Sequence, residues 1–83
     1  MSEHVTRWSV DLYLGEIDGR THAEARLITD DTSSVTATGV ATLSPHDQYD
    51  VPEIGYELAA GRALAALAEQ LLSTALDDVE ALN

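Results

Sequence analysis

The sequence predicts an α+β domain: a three-stranded antiparallel meander, then one long helix, with a short helical turn at the C-terminus. Three observations carry this expectation. Apolar and polar side chains alternate with a period of two in three stretches of the N-terminal half. An Asp-Gly pair separates the first two stretches, and that pair supplies the positive φ that a tight hairpin requires. After Pro52 the apolar spacing changes to that of a helix.

The first strand is expected from about Arg7 to Leu14, with Trp8, Val10, Leu12 and Leu14 on one face and Ser9, Asp11 and Tyr13 on the other. Gly15 to Gly19 reads as the turn that follows. The second strand, Thr21 to Ile28, puts Ala23, Ala25 and Leu27 on one face and His22, Glu24 and Arg26 opposite. Asp30 to Ser34 is a polar turn. The third strand runs from about Val35 to Leu43, its threonine-rich alternation suiting a strand far better than a helix. Ala37, Gly39 and Ala41 line its inner face. Side chains so small let a helix sit close. Ser9, Asp11, Glu24, Arg26 and Thr38 form the outer face, which ordinary cross-strand pairing explains.

Ser44-Pro45 ends the sheet. Asp50, followed three residues later by Glu53, is a capping-box pattern, and Pro52 is tolerated in a first turn. The helix is expected to about Ser73. Ile54, Leu58, Gly61, Leu64, Ala65, Ala68, Leu71 and Leu72 share one broad apolar face. Ala59, Ala60, Ala63, Ala66 and Leu67 spread apolar surface beyond it, and only Arg62, Glu69, Gln70 and Ser73 make a polar strip. A helix apolar nearly all round is buried on more than one side, and one small sheet covers one side. Ala59, Ala60, Ala63, Ala66 and Leu67 are therefore the expected interface with a second copy or another partner. Leu76, Val79 and Leu82 stay roughly in phase, so the tail either continues the helix or forms a separate turn.

Composition narrows the function. Eighty-three residues make one domain with a thin core, its first six residues expected to fray. There is no cysteine, which excludes disulfides and thiolate zinc sites. No apolar run reaches the length of a membrane span and no signal peptide is visible, so a cytoplasmic protein is expected. Fifteen acidic side chains stand against four arginines and no lysine, a formal charge of −11. Nucleic-acid affinity comes largely from cationic side chains on phosphates, so direct binding to nucleic acid is not expected. The acidity keeps a small chain soluble, or docks on a basic partner.

No constellation points to catalysis. His4, His22 and His46 lack metal-pair spacing. Asp47, Asp50, Glu53 and Glu57 cluster near the helix start, but without the alternating ligands and central glycine of a calcium loop. No glycine-flanked nucleophile and no phosphate loop is present. No catalytic residue, metal or cofactor is expected. Glu57 falls at the edge of the apolar face, where an unpaired charge is costly, so a structural ion pair with Arg26 or Arg62 is expected. Gly39 and Gly61 are expected to mark a close approach of helix and sheet backbones.

Several of these stretches resemble a family of small uncharacterised actinobacterial proteins with a double-stranded-RNA-binding-domain-like fold. The matching pieces are Trp8-Ser-Val10-Asp11, Asp18-Gly19 and Ala23-Glu-Ala25-Arg26-Leu27, then Gly39-Val-Ala41-Thr-Leu43-Ser-Pro45, Val51-Pro52-Glu53-Ile54-Gly55-Tyr-Glu57-Leu58 and Arg62-Ala63-Leu64. The resemblance implies the β-β-β-α order read above and a homodimer. Some members are linked to dormancy and stress, and one has been compared structurally with ribosome hibernation-promoting factors. The resemblance therefore implies a non-enzymatic protein that acts on the ribosome or translation machinery by protein contact. The alternative is an acidic interaction module with a non-ribosomal partner. RNA-binding domains of this fold carry lysines near the helix N-terminus; here Asp50, Glu53 and Glu57 stand there.

Overall fold

The computed structural model describes residues 4–30, 34–42 and 52–82. Three strands, β1 (Ser9–Ile17), β2 (Arg20–Ile28) and β3 (Ser34–Thr42), form an antiparallel sheet in the order β1-β2-β3. A single helix, α1 (Pro52–Ala81), packs on one face of it. This is the β-β-β-α order expected. Ser44-Pro45, His46, Asp47 and the Asp50 cap lie outside the described residues.

The hairpin between β1 and β2 is the local feature from which the register follows. Asp18 and Gly19 have φ of 52° and 74°, both left-handed, as a two-residue type I′ turn requires. So tight a turn pairs Ile17 with Arg20, Glu16 with Thr21 and Gly15 with His22. β1 therefore runs to Ile17, three residues past the expected end at Leu14, and the turn is only Asp18-Gly19. At the other end the Thr6 hydroxyl donates to Asp30 at 2.9 Å, joining the segment before β1 to the end of β2.

In a two-residue hairpin the closing residues exchange backbone hydrogen bonds with each other. Odd-numbered residues of β1 thus bond to β2, and Val10, Leu12, Leu14 and Glu16 turn their N–H and C=O groups to the free edge. The same alternation carried through the β2–β3 register puts the backbone groups of Thr36, Thr38 and Val40 on the outer edge of β3. The helix covers part of that edge. Arg62 donates to the Val40 carbonyl at 2.7 Å and Gln70 to the Thr36 carbonyl at 3.0 Å.

The core is small in every sense. Ala23, Ala25 and Leu27 of β2, Ala37 and Ala41 of β3, and Ala59, Ala63 and Leu67 of the helix are its buried apolar residues. Among the described residues six of these eight are alanine. Small side chains bring the helix backbone close. A methyl group on Gly39 would meet the Ala63 nitrogen, the Ala59 oxygen and, at 2.8 Å, the Arg62 Cβ. One on Gly55 would meet the Thr21 hydroxyl at 2.7 Å. The close-approach glycines are Gly39 and Gly55. Gly61, expected as the partner of Gly39, has open space where its side chain would be.

The face assignment of the helix is corrected in the same way. Gly55, Ala59, Ala63 and Leu67, each four residues from the next, are the buried positions. Ile54, Leu58, Leu64 and Leu72, expected against the sheet, are exposed. Close packing over alanine and glycine selects the narrowest ridge of the helix, whereas apolar character alone had favoured the leucines. The tail joins the helix without a break, so there is no separate C-terminal turn. Thirty residues span about 45 Å against about 30 Å for a nine-residue strand. The helix therefore outruns the sheet, and every described residue from Leu72 onward is exposed.

Candidate protein interaction surface

The proposed interface and ion pair take different places in the structure from those expected. Ala59, Ala63 and Leu67 are 0%, 0% and 4% exposed within the single chain, so they pack on the chain's own sheet. Ala60 and Ala66 are half-buried beside them. Ala59, Ala63 and Leu67 are therefore not free for a partner, because the sheet occupies that ridge, whereas Ala60 and Ala66 lie to either side of it.

Glu57 makes no ion pair among the described residues. Counting 100° per residue from the buried ridge, it points away from the sheet together with Gly61, Ala65 and Glu69, and it is exposed. Arg26 sits on the far face of the sheet, 3.3 Å from Glu24 and 5.3 Å above the Tyr13 ring. Arg62 serves the β3 edge instead. Glu57 is open to solvent.

Uncovered apolar surface is concentrated elsewhere, on the helix side of β1. The register sets Val10 opposite Leu27, Leu12 opposite Ala25 and Leu14 opposite Ala23, so all three project from the same face as the core. The helix, however, lies over β2 and β3. Val10, Leu12 and Leu14 are left 41%, 39% and 44% exposed, and Trp8, preceding the strand, 54%. Arg62 and Gln70 hold one flank of the helix on β3. The opposite flank, facing β1, carries Tyr56, Ala60, Leu64, Ala68 and Leu72 by helical phase. Sheet floor and helix wall together make an open apolar trough.

One end of the trough deepens into a notch of about 470 Å³ lined by Trp8, Leu27, Val35 and Leu71, with Thr6, Thr29 and Asp30 at its polar side. Contiguous exposed apolar surface of this kind is a candidate contact site. Its electrostatics favour contact too. From Arg7 to Ile28, three arginines (Arg7, Arg20, Arg26) stand against four acids (Asp11, Glu16, Asp18, Glu24). That hairpin is nearly neutral, and almost all of the −11 charge lies on the rest of the chain.

Alternation in β1 was visible in the sequence, but which strands one helix covers is a matter of packing that no local pattern states. The Arg26–Tyr13 contact becomes readable only once the turn has set Asp11 opposite Arg26. Among the described residues no group of three or more histidines or carboxylates is placed to hold a metal. No helix among them is long and apolar enough to cross a membrane.

Comparison with known proteins agrees with this architecture. The chain is 42% identical to the uncharacterised protein Mb1767 of Mycobacterium bovis over 83 residues, covering 99% of this chain and 86% of that one. It is 43% identical over 81 residues to the uncharacterised protein Rv2632c of Mycobacterium tuberculosis, covering 96% and 85%. The crystal structure of Rv2632c superposes with a TM-score of 0.85 at 41% identity, covering 99% of this chain and 96% of the other. The model of the Rv2632c-like family matches residues 6–83. With the fold, the likeness and the family model in agreement over nearly its whole length, the chain belongs to the Rv2632c-like family.

Proposed function

We propose that this chain is a non-enzymatic protein interaction module that works as a homodimer in the cytoplasm, using the apolar trough beside β1. The observation that carries the reading is the row Val10, Leu12 and Leu14 on the core face of the sheet, with Trp8 just before it, left half-exposed because the helix lies mainly over β2 and β3. An 83-residue domain with an alanine core has little apolar burial of its own, and a second subunit adds to it. Light scattering across a dilution series tests this. The expected result is twice the chain mass of 8.9 kDa; a monomer at all concentrations overturns it.

The dimer presents acidic surface to any further partner. Glu57, Glu69, Asp77 and Glu80 are exposed on the helix, which favours a basic protein surface over a phosphate backbone. Together with the resemblance to the dormancy-linked family, this supports a stress-associated action on the ribosome through its basic proteins. Co-sedimentation with ribosomes from starved cells at low salt is expected, weakening as salt is raised. A dimer that stays in the supernatant, and that captures a different protein instead, transfers the reading to a non-ribosomal partner.

A further inference from the structure

The two free edges of the sheet are not equivalent, and the difference indicates how a second copy attaches. A nine-residue edge strand with its backbone groups open is a template for pairing with another chain. On β3 the outward carbonyls of Thr36 and Val40 are already engaged by Gln70 and Arg62. On β1 no side chain among the described residues bonds to the outward groups of Val10, Leu12, Leu14 and Glu16. β1 carries no proline, lysine or bulge to block the edge, and of its two acids Asp11 lies on the far face and Glu16 next to the turn, away from the strand centre.

We infer that two copies join through β1, antiparallel about a twofold axis at Leu12, to make one six-stranded sheet. This rests on the homodimer proposed above and names its contact. Only even-numbered residues offer hydrogen bonds at this edge, so a twofold pairing must match even residues with even ones. With the axis at Leu12, Leu12 faces Leu12 of the second copy, Val10 faces Leu14, and Ser9 faces Gly15. Every pair on the helix side near the axis is then apolar. At the end of that ladder Glu16 faces Trp8; moving the axis to Tyr13 also matches even residues but brings Glu16 one residue nearer the axis, against Val10, placing a carboxylate within the apolar row. No acid faces an acid in the Leu12 pairing, where Asp11 lies opposite Tyr13. The hairpin is also the near-neutral part of a chain of charge −11, so here two copies approach with least repulsion.

Because the chain has no cysteine, a single introduced one reports the contact directly. Leu12→Cys, at a half-exposed position, puts two thiols on residues about 5.5 Å apart between Cα atoms, within disulfide range. Mild oxidation is expected to give about tenfold more cross-linked dimer from Leu12→Cys than from Thr38→Cys on the β3 edge. Leu12→Pro removes an N–H that the monomer leaves to solvent, and is expected to weaken dimerisation by about 100-fold while the circular dichroism of the fold is kept; Thr38→Pro leaves the dimer intact. A wild-type dimer that neither cross-links through Leu12→Cys nor dissociates with Leu12→Pro overturns edge pairing and leaves the homodimer standing. A wild-type monomer overturns both.

Discussion

Gly39 and Gly61 look alike in sequence and take opposite roles. Gly39 faces the helix backbone with no room for a methyl group, whereas the space around Gly61 is open. Gly39→Ala is expected to push the helix off the sheet and to destabilise the domain by about 1–3 kcal/mol, the usual cost of overpacking. Gly61→Ala is expected to stabilise it by about 0.5–1 kcal/mol, because alanine restricts the unfolded chain and suits a helix interior. Urea denaturation of the two variants separates these outcomes. Exposure decides the case of Glu57: Glu57→Gln should leave the unfolding free energy from urea titration unchanged to within about 0.5 kcal/mol, and a large loss would mean that a partner for it exists after all. The sequence placed Glu57 at the margin of an apolar face, and the error came from choosing the wrong ridge as buried.

At the level of elements, what was legible is what local chemistry controls. Asp18-Gly19 specifies a two-residue turn on its own, and from it the pairing of β1 with β2 follows residue by residue. The alternation of Ala23, Ala25 and Leu27, and of Ala37, Gly39 and Ala41, named the core face of both strands correctly. The sequence assigns Gly15, Glu16 and Ile17 to the turn, and pairing with His22, Thr21 and Arg20 makes them strand. The helix was legible as a helix but not in its orientation. Apolar character ranks leucine above alanine, while a sheet surfaced with alanine and glycine admits only the ridge of Gly55, Ala59 and Ala63. That packing ends near Leu71, the last helical position placed against the core. A chain truncated after Thr74 is therefore expected to keep its cooperative thermal transition, since every described residue removed is exposed.

On the scale of the whole molecule, charge and core size dominate. A net charge of −11 on 83 residues repels itself in the compact state. Raising sodium chloride from low to physiological concentration should increase the melting temperature through screening. A fall would show that specific ion pairs, of which Arg26–Glu24 is exposed, outweigh the general repulsion. The apolar trough beside β1 could not be read from the sequence at all, because it arises from where one helix comes to rest on three strands.

The alanine core has a thermodynamic consequence of its own. Alanine has no rotamers to freeze, so ordering Ala23, Ala25, Ala37, Ala41, Ala59 and Ala63 costs almost no side-chain entropy. Melting the same core hydrates little apolar area, and apolar hydration is the source of the heat-capacity increase on unfolding. Under conditions that keep the chain monomeric, calorimetry should find an increment below the ordinary value of about 12–15 cal/mol/K per residue. The free energy of folding would then change little with temperature, giving a shallow stability curve whose cold and warm limits lie far apart.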